Sequence, residues 1–131
     1  MNSTPYVVLI SGDRNAKKEK WYTPIKKELV ELKDEKGKIS VIHGGCLGID
    51  TIAQKVCNDL DIDTKIFPAD WGKYGKCAGP IRNKLMIEQN PDILLAYHDN
   101  IKESKGTIGT INMALEKGLD VKLNSLWLNK N

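Results

Sequence analysis

The run Ile39-Ser40-Val41-Ile42-His43 stops on Gly44-Gly45, and an apolar stripe of helical spacing opens at Gly48. A short β-branched run that ends on glycine and hands over to a helix is the building unit of a βαβ fold. The chain repeats this unit. Tyr6-Val7-Val8-Leu9-Ile10 stops at Ser11-Gly12, and Thr64-Lys65-Ile66-Phe67 closes on Pro68. The run from Asp92 to Tyr97 leads into a polar loop, Asp99 to Lys105, and Leu119 to Leu123 reads as a fifth strand. Helical patterns lie between these runs. Lys18 to Lys33 carries Trp21, Ile25, Leu29, Val30 and Leu32 on one face, with Pro24 near its first turn. Further helices are predicted over Gly48 to Leu60, Ile81 to Gln89, and Thr107 to Lys117, the last stopped by Gly118. Residues 68–80, rich in glycine and proline, read as irregular. Strands alternating with helices predict one Rossmann-like α/β domain over residues 1–131, with its core at about 6–123. Its sheet is mostly parallel, with helices on both faces.

A chain of 131 residues leaves no room for a second core. Its 20 basic and 17 acidic residues are interleaved and give a formal net charge of +3. The absence of a basic stripe argues against a nucleic-acid partner. No apolar run reaches the roughly 20 residues that span a bilayer. The polar segment Met1 to Pro5 lacks the pattern of a signal peptide. Cys46, Cys57 and Cys77 are odd in number and show no C-x-x-C spacing. They read as free thiols in a reducing, cytoplasmic setting. With only His43 and His98 to add to them, no metal site and no cofactor is expected.

In parallel sheets, ligands gather beyond the carboxyl ends of the strands, so the loops there carry the functional reading. Ser11-Gly12-Asp13-Arg14 allows close backbone approach and offers Arg14 to an anion, though a generic turn looks the same. The segment from His43 to Asp50 is the strongest feature. Gly44, Gly45 and Gly48 permit a tight turn, and the helix start behind them favours a phosphate. Asp50 then either caps that helix or accepts from a ribose hydroxyl. The segment is neither G-x-G-x-x-G nor a Walker loop. In Lys105-Gly106-Thr107, Gly106 and Thr107 either donate to the same ligand or form an N-cap turn. Arg82 and Asn83 fall in the first turn of a predicted helix, where a cation opposes the helix dipole. This predicts an anionic partner for Arg82, either a ligand phosphate or Asp70. Trp71 and Tyr74 either stack on a base or pack under their loop. His43 reads as a packed, hydrogen-bonded residue and His98 as a surface loop residue. The apolar tail Leu126-Trp127-Leu128 packs either on its own sheet or on a neighbouring copy, the latter making a homo-oligomer, most simply a dimer.

Taken in order, these segments resemble one family. They are Ser11-Gly12-Asp13-Arg14, His43-Gly44-Gly45-x-x-Gly48-x-Asp50-x-x-Ala53, Pro68-Ala69-Asp70-Trp71, Ala78-Gly79-Pro80-Ile81-Arg82-Asn83 and Lys105-Gly106-Thr107. Together they look like the YspA-type branch of the SLOG (SMF/DprA–LOG) superfamily. The resemblance implies a Rossmann-like fold holding a nucleotide-type ligand across the strand ends. It implies binding by Gly44, Gly45, Gly48 and Asp50, by Arg82 and Asn83, and by Gly106 and Thr107. Some members of the superfamily, the LOG enzymes, hydrolyse the N-glycosidic bond of nucleoside monophosphates. Others are thought to sense nucleotide-derived signals.

The LOG enzymes carry acidic residues just after their Gly-Thr. Here Ile108, Gly109, Thr110, Ile111 and Asn112 follow Thr107, and no carboxylate comes until Glu116. An oxocarbenium-like transition state calls for a nearby carboxylate, which leaves Asp50 and Asp70 as catalytic candidates. The expectation is therefore a binding module for a phosphate-bearing nucleotide or nucleotide-derived ligand. A nucleosidase or phosphoribohydrolase is the alternative. Single-stranded nucleic-acid binding, by analogy with DprA, is weaker.

Overall fold

In the computed structural model, residues 4–124 and 126–128 are described. Five parallel strands form the sheet: β1 (Tyr6–Gly12), β2 (Ile39–His43), β3 (Asp63–Ile66), β4 (Ile93–Tyr97) and β5 (Asp120–Leu123). A short sixth strand, β6 (Leu126–Trp127), adds antiparallel to β5. The strand order is β3-β2-β1-β4-β5-β6. The chain steps outward from β1 to β3, then returns to the centre at β4. The order therefore reverses between β1 and β4, which makes their carboxyl ends the switch point where such sheets bind ligands.

The period-two alternation of the strands divides the core into two layers. Val8, Ile10, Val41, Leu95 and Tyr97 face α1 (Lys18–Lys36) and α2 (Ile49–Leu60), which contribute Trp21, Ile25, Leu29, Ile52 and Val56. Leu9, Ile42, Leu94, Ala96 and Val121 face α4 (Ala78–Ile87) and α5 (Lys105–Glu116), through Met86, Ile87, Ile111 and Ala114. The predicted two-faced α/β domain is what the chain forms. No helix among the described residues is long and apolar enough to cross a membrane.

Several boundaries differ from expectation for physical reasons. α1 runs on to Lys36, and Pro24 lies inside it rather than near its first turn. Pro24 is exposed, while Trp21, Ile25 and Leu29 are buried around it. Burial of that stripe outweighs the missing amide. The 68–80 segment is more regular than its glycines and prolines suggested. It holds a one-turn helix α3 (Trp71–Tyr74), a 3₁₀ turn over Gly75–Cys77, and the start of α4 at Ala78. Pro80 is the third residue of α4, a place where its missing N–H breaks no intrahelical bond. Gly118, with φ +81°, follows the end of α5 as expected.

Candidate functional site

A cleft of about 580 Å³ opens at the carboxyl ends of β1, β2 and β4. Register pairs Ser11 with Ala96 and Gly12 with Tyr97, so the loops after β1 and β4 leave the sheet side by side. One wall is the β1–α1 loop with Ser11, Gly12 and Arg14. Trp71 and Lys76 close another side, and Arg82 and Asn83 of α4 form part of the wall. The start of α5, with Lys105, Gly106 and Thr107, faces them across the opening.

Most of the sequence-predicted residues meet here. Ser11, Gly12, Arg14, Asp50, Trp71, Arg82, Asn83, Gly106 and Thr107 all line the cleft. Gly44, Gly45, Gly48 and Asp70 do not. The three glycines are held by internal geometry instead. A Cβ on Gly44 would lie 2.4 Å from Arg82 Nη1, and one on Gly48, where φ is +78°, would lie 2.2 Å from the Asp13 carbonyl. Three amides of this loop are also occupied. Gly44 N–H and Cys46 N–H donate to Asp50 Oδ2 at 3.2 and 3.1 Å, and Gly45 N–H donates to His43 Nδ1 at 3.0 Å. Asp50 thus holds, from inside the protein, two of the loop amides that sequence reasoning offered to a phosphate.

Asp50 itself is 7% exposed. Burial pushes its carboxyl above the ordinary value, and the Cys46 amide and the nearby Arg82 only partly offset this. Asp70 caps α3, its Oδ1 accepting from Lys73 N–H at 3.1 Å. The expected pairing of Asp70 with Arg82 is not formed. Because α4 begins at Ala78, Arg82 sits in its second turn, and the dipole conflict that called for an anion disappears. Its guanidinium donates to the Gly44 carbonyl at 2.9 Å, to Asn83 Oδ1 at 2.7 Å and, at 3.5 Å, to the Phe67 carbonyl and Cys46 Sγ. Arg82 therefore ties the β2 and β3 loops to α4. His43 is packed as read, with Nε2 2.7 Å from Gln54 Oε1.

The groups left open to an anion lie elsewhere in the cleft. Ser104 caps α5, its Oγ accepting from Thr107 N–H at 3.0 Å. The preceding amides, of Lys105 and Gly106, lie in the first turn and have no partner among the described residues. Arg14, Lys76 and Lys105 are exposed cations of the lining, without ion partners among the described residues. Trp71 is 55% exposed, and its Cη2 would be 3.5 Å from a Cβ on Gly79. Its ring thus rests against the backbone of α4 and keeps much of its surface open for stacking. Tyr74 does not line the cleft. Asn15, Lys76, His98 and Glu103 line it without having been foreseen. The available clue for His98 was its place directly after an apolar strand, the same clue that singled out Ser11 and Gly12.

No known family profile matches the chain. It is 31% identical over 86 residues to the Gene 61 protein of Mycobacterium phage D29, a match covering 62% of this chain and 67% of that protein. The X-ray structure of DNA processing protein A (DprA) from Streptococcus pneumoniae shares the fold, with a TM-score of 0.69 at 20% identity. That likeness covers 91% of this chain and 50% of the DprA chain, so this chain spans about half of DprA's length. The likeness is one of fold, a Rossmann-like α/β domain with a mostly parallel sheet.

Proposed function

We propose that this chain, which belongs to the family of the Gene 61 protein of Mycobacterium phage D29, binds a phosphate-bearing nucleotide or nucleotide-derived ligand in this cleft, as a YspA-type SLOG module. The observation that carries this reading is one cleft that combines two first-turn amides of α5 and three cations, all without partners among the described residues, with a half-open indole. The phosphate sits at the start of α5, among Lys105, Gly106 and Arg14. The base stacks on Trp71. Asp50 and Arg82 shape the opposite wall.

Cleavage of the ligand is the less favoured reading. Asp50 Oδ2 already holds two amides, and Asp70 lies outside the cleft. Neither stands free beside a sugar carbon. The name of DprA ties that protein to DNA. Here, however, Asp13 and Glu103 stand among the cations of the cleft, which suits a compact ligand better than a continuous strand of phosphates.

The test is native mass spectrometry of the protein as purified from cells, followed by calorimetry with the ribonucleoside mono-, di- and triphosphates and a short oligothymidylate. A retained nucleotide mass, or nucleotide binding tighter than oligothymidylate binding, is expected. Tighter oligothymidylate binding, or no heat with any nucleotide, sinks the proposal. Chromatography of the monophosphates after long incubation should show no released base.

A further inference from the structure

His98 and Asp13 directly follow β4 and β1, the two strands that flank the switch point. Both line the cleft. His98 is held from several sides. Asn124, in a left-handed conformation with φ +52°, accepts from His98 N–H at 3.4 Å and donates to the His98 carbonyl at 3.1 Å. Asn100 N–H donates to Nδ1 at 2.9 Å. That bond occupies the Nδ1 lone pair and assigns the ring proton to Nε2. Asp13 is held as well. Its backbone N–H donates to the Tyr97 carbonyl at 2.9 Å, and its Oδ1 accepts from Asn15 N–H at 2.8 Å.

The donor Nε2–H and the acceptor Asp13 Oδ1 lie 3.9 Å apart, with the two side chains only 12% and 18% exposed. This gap is too wide for a direct hydrogen bond, yet one atom can reach both groups. That atom must accept from the imidazole and donate to the carboxylate. A phosphate oxygen cannot donate, and the carboxylate repels it. An ammonium cannot accept. A water does both, and so does a sugar hydroxyl, which takes the water's place when the ligand binds. Resting on the nucleotide reading above, we propose that His98 and Asp13 together hold a sugar hydroxyl of the ligand. The pair would make the cleft selective for ribose over deoxyribose forms.

The chain has two histidines, which makes the test clean. His43 is enclosed in the fold and serves as the internal reference. Calorimetry compares the four ribonucleoside monophosphates with their 2′- and 3′-deoxy counterparts, on the natural protein and on His98→Phe. The natural protein should prefer the ribose form over one deoxy series by about tenfold, the scale of one hydrogen bond to a charged group. His98→Phe should lose that preference, its affinities for the ribose and deoxy forms falling within about twofold of each other. In nitrogen NMR of the natural protein, both rings should show the Nε2–H tautomer. Only the His98 signal should move when a ribonucleoside monophosphate is added. The inference falls if the natural protein does not distinguish the sugars, if His98→Phe keeps the preference, or if selectivity follows the base alone. It falls too if the His98 signal stays still, a measurement that needs no variant. Nucleotides that bind without sugar discrimination leave the binding proposal standing and remove this one. Nucleotides that fail to bind at all remove both.

Discussion

Asp50 makes its own contribution to stability through its proton. Its folded value is raised above the ordinary carboxylate value, chiefly by burial. The folded state therefore holds that proton more tightly than the unfolded chain does. Stability from this site is complete below the unfolded value, about 3.9, and is lost as pH rises through the raised folded value. Asp50→Asn keeps an acceptor oxygen for the Gly44 and Cys46 amides and removes the charge. Denaturant midpoints should show the natural protein losing ground to Asp50→Asn between pH 4 and pH 7. A variant that is instead weaker at pH 7 than at pH 4, relative to the natural protein, contradicts this account. The same residue shows where sequence reading stopped. Gly44, Gly45, Gly48 and Asp50 were recognisable as one unit. Nothing in their order, however, told whether the loop amides turn toward a ligand or inward to Asp50 and His43. That choice depends on Arg82, which arrives from a distant helix and donates to the Gly44 carbonyl.

Among the elements, the junction of α2 with the loop after β1 is tight. Ile49 N–H donates to the Asp13 carbonyl at 3.0 Å, and Gly48 turns the chain into α2 with φ +78° and ψ −124°. Any side chain at Gly48 meets both an unfavourable dihedral and the Asp13 carbonyl at 2.2 Å. Gly48→Ala should therefore cost about 3 kcal/mol and lower the melting temperature by roughly ten degrees. Calorimetric melting checks this, and a loss of under two degrees would show that the junction can relax. Strand and helix order was legible because buried parallel strands and amphipathic helices leave distinct periods. The exception was α4. Gly79-Pro80 reads as a breaker in isolation, but in a first turn the proline is harmless, and Ala78 and Gly79 bury against the fold. The link between α1 and the sheet was also invisible. Tyr97 O–H donates to Glu28 at 2.6 Å, and Glu28 pairs with Lys122 at 2.7 Å, joining residues from three distant segments.

Over the whole molecule, the two core layers close the faces of the sheet but not its edges. At one edge lies β6, Leu126 and Trp127, which pairs with β5. Leu126 is 61%, Trp127 37% and Leu128 38% exposed, so three consecutive apolar side chains stay in contact with water. Exposed apolar surface at a sheet edge favours association, because a second copy can bury it and extend the ladder. We therefore expect a homodimer formed through this edge, the partner foreseen from the tail sequence. Light scattering at micromolar concentration should give close to twice the 14.7 kDa of one chain. A double change, Leu126→Ser with Leu128→Ser, should return the mass to that of one chain. The cleft should be unaffected, since these residues do not line it. The reverse edge, β3, is the control. Its residues 63, 65 and 66 are also exposed, and Ile66 is 49% open to solvent. If Ile66→Ser dissociates the dimer and the tail changes do not, the interface lies at β3. If the natural protein is a monomer at these concentrations, both edges are solvent-facing and the tail packs only on its own sheet.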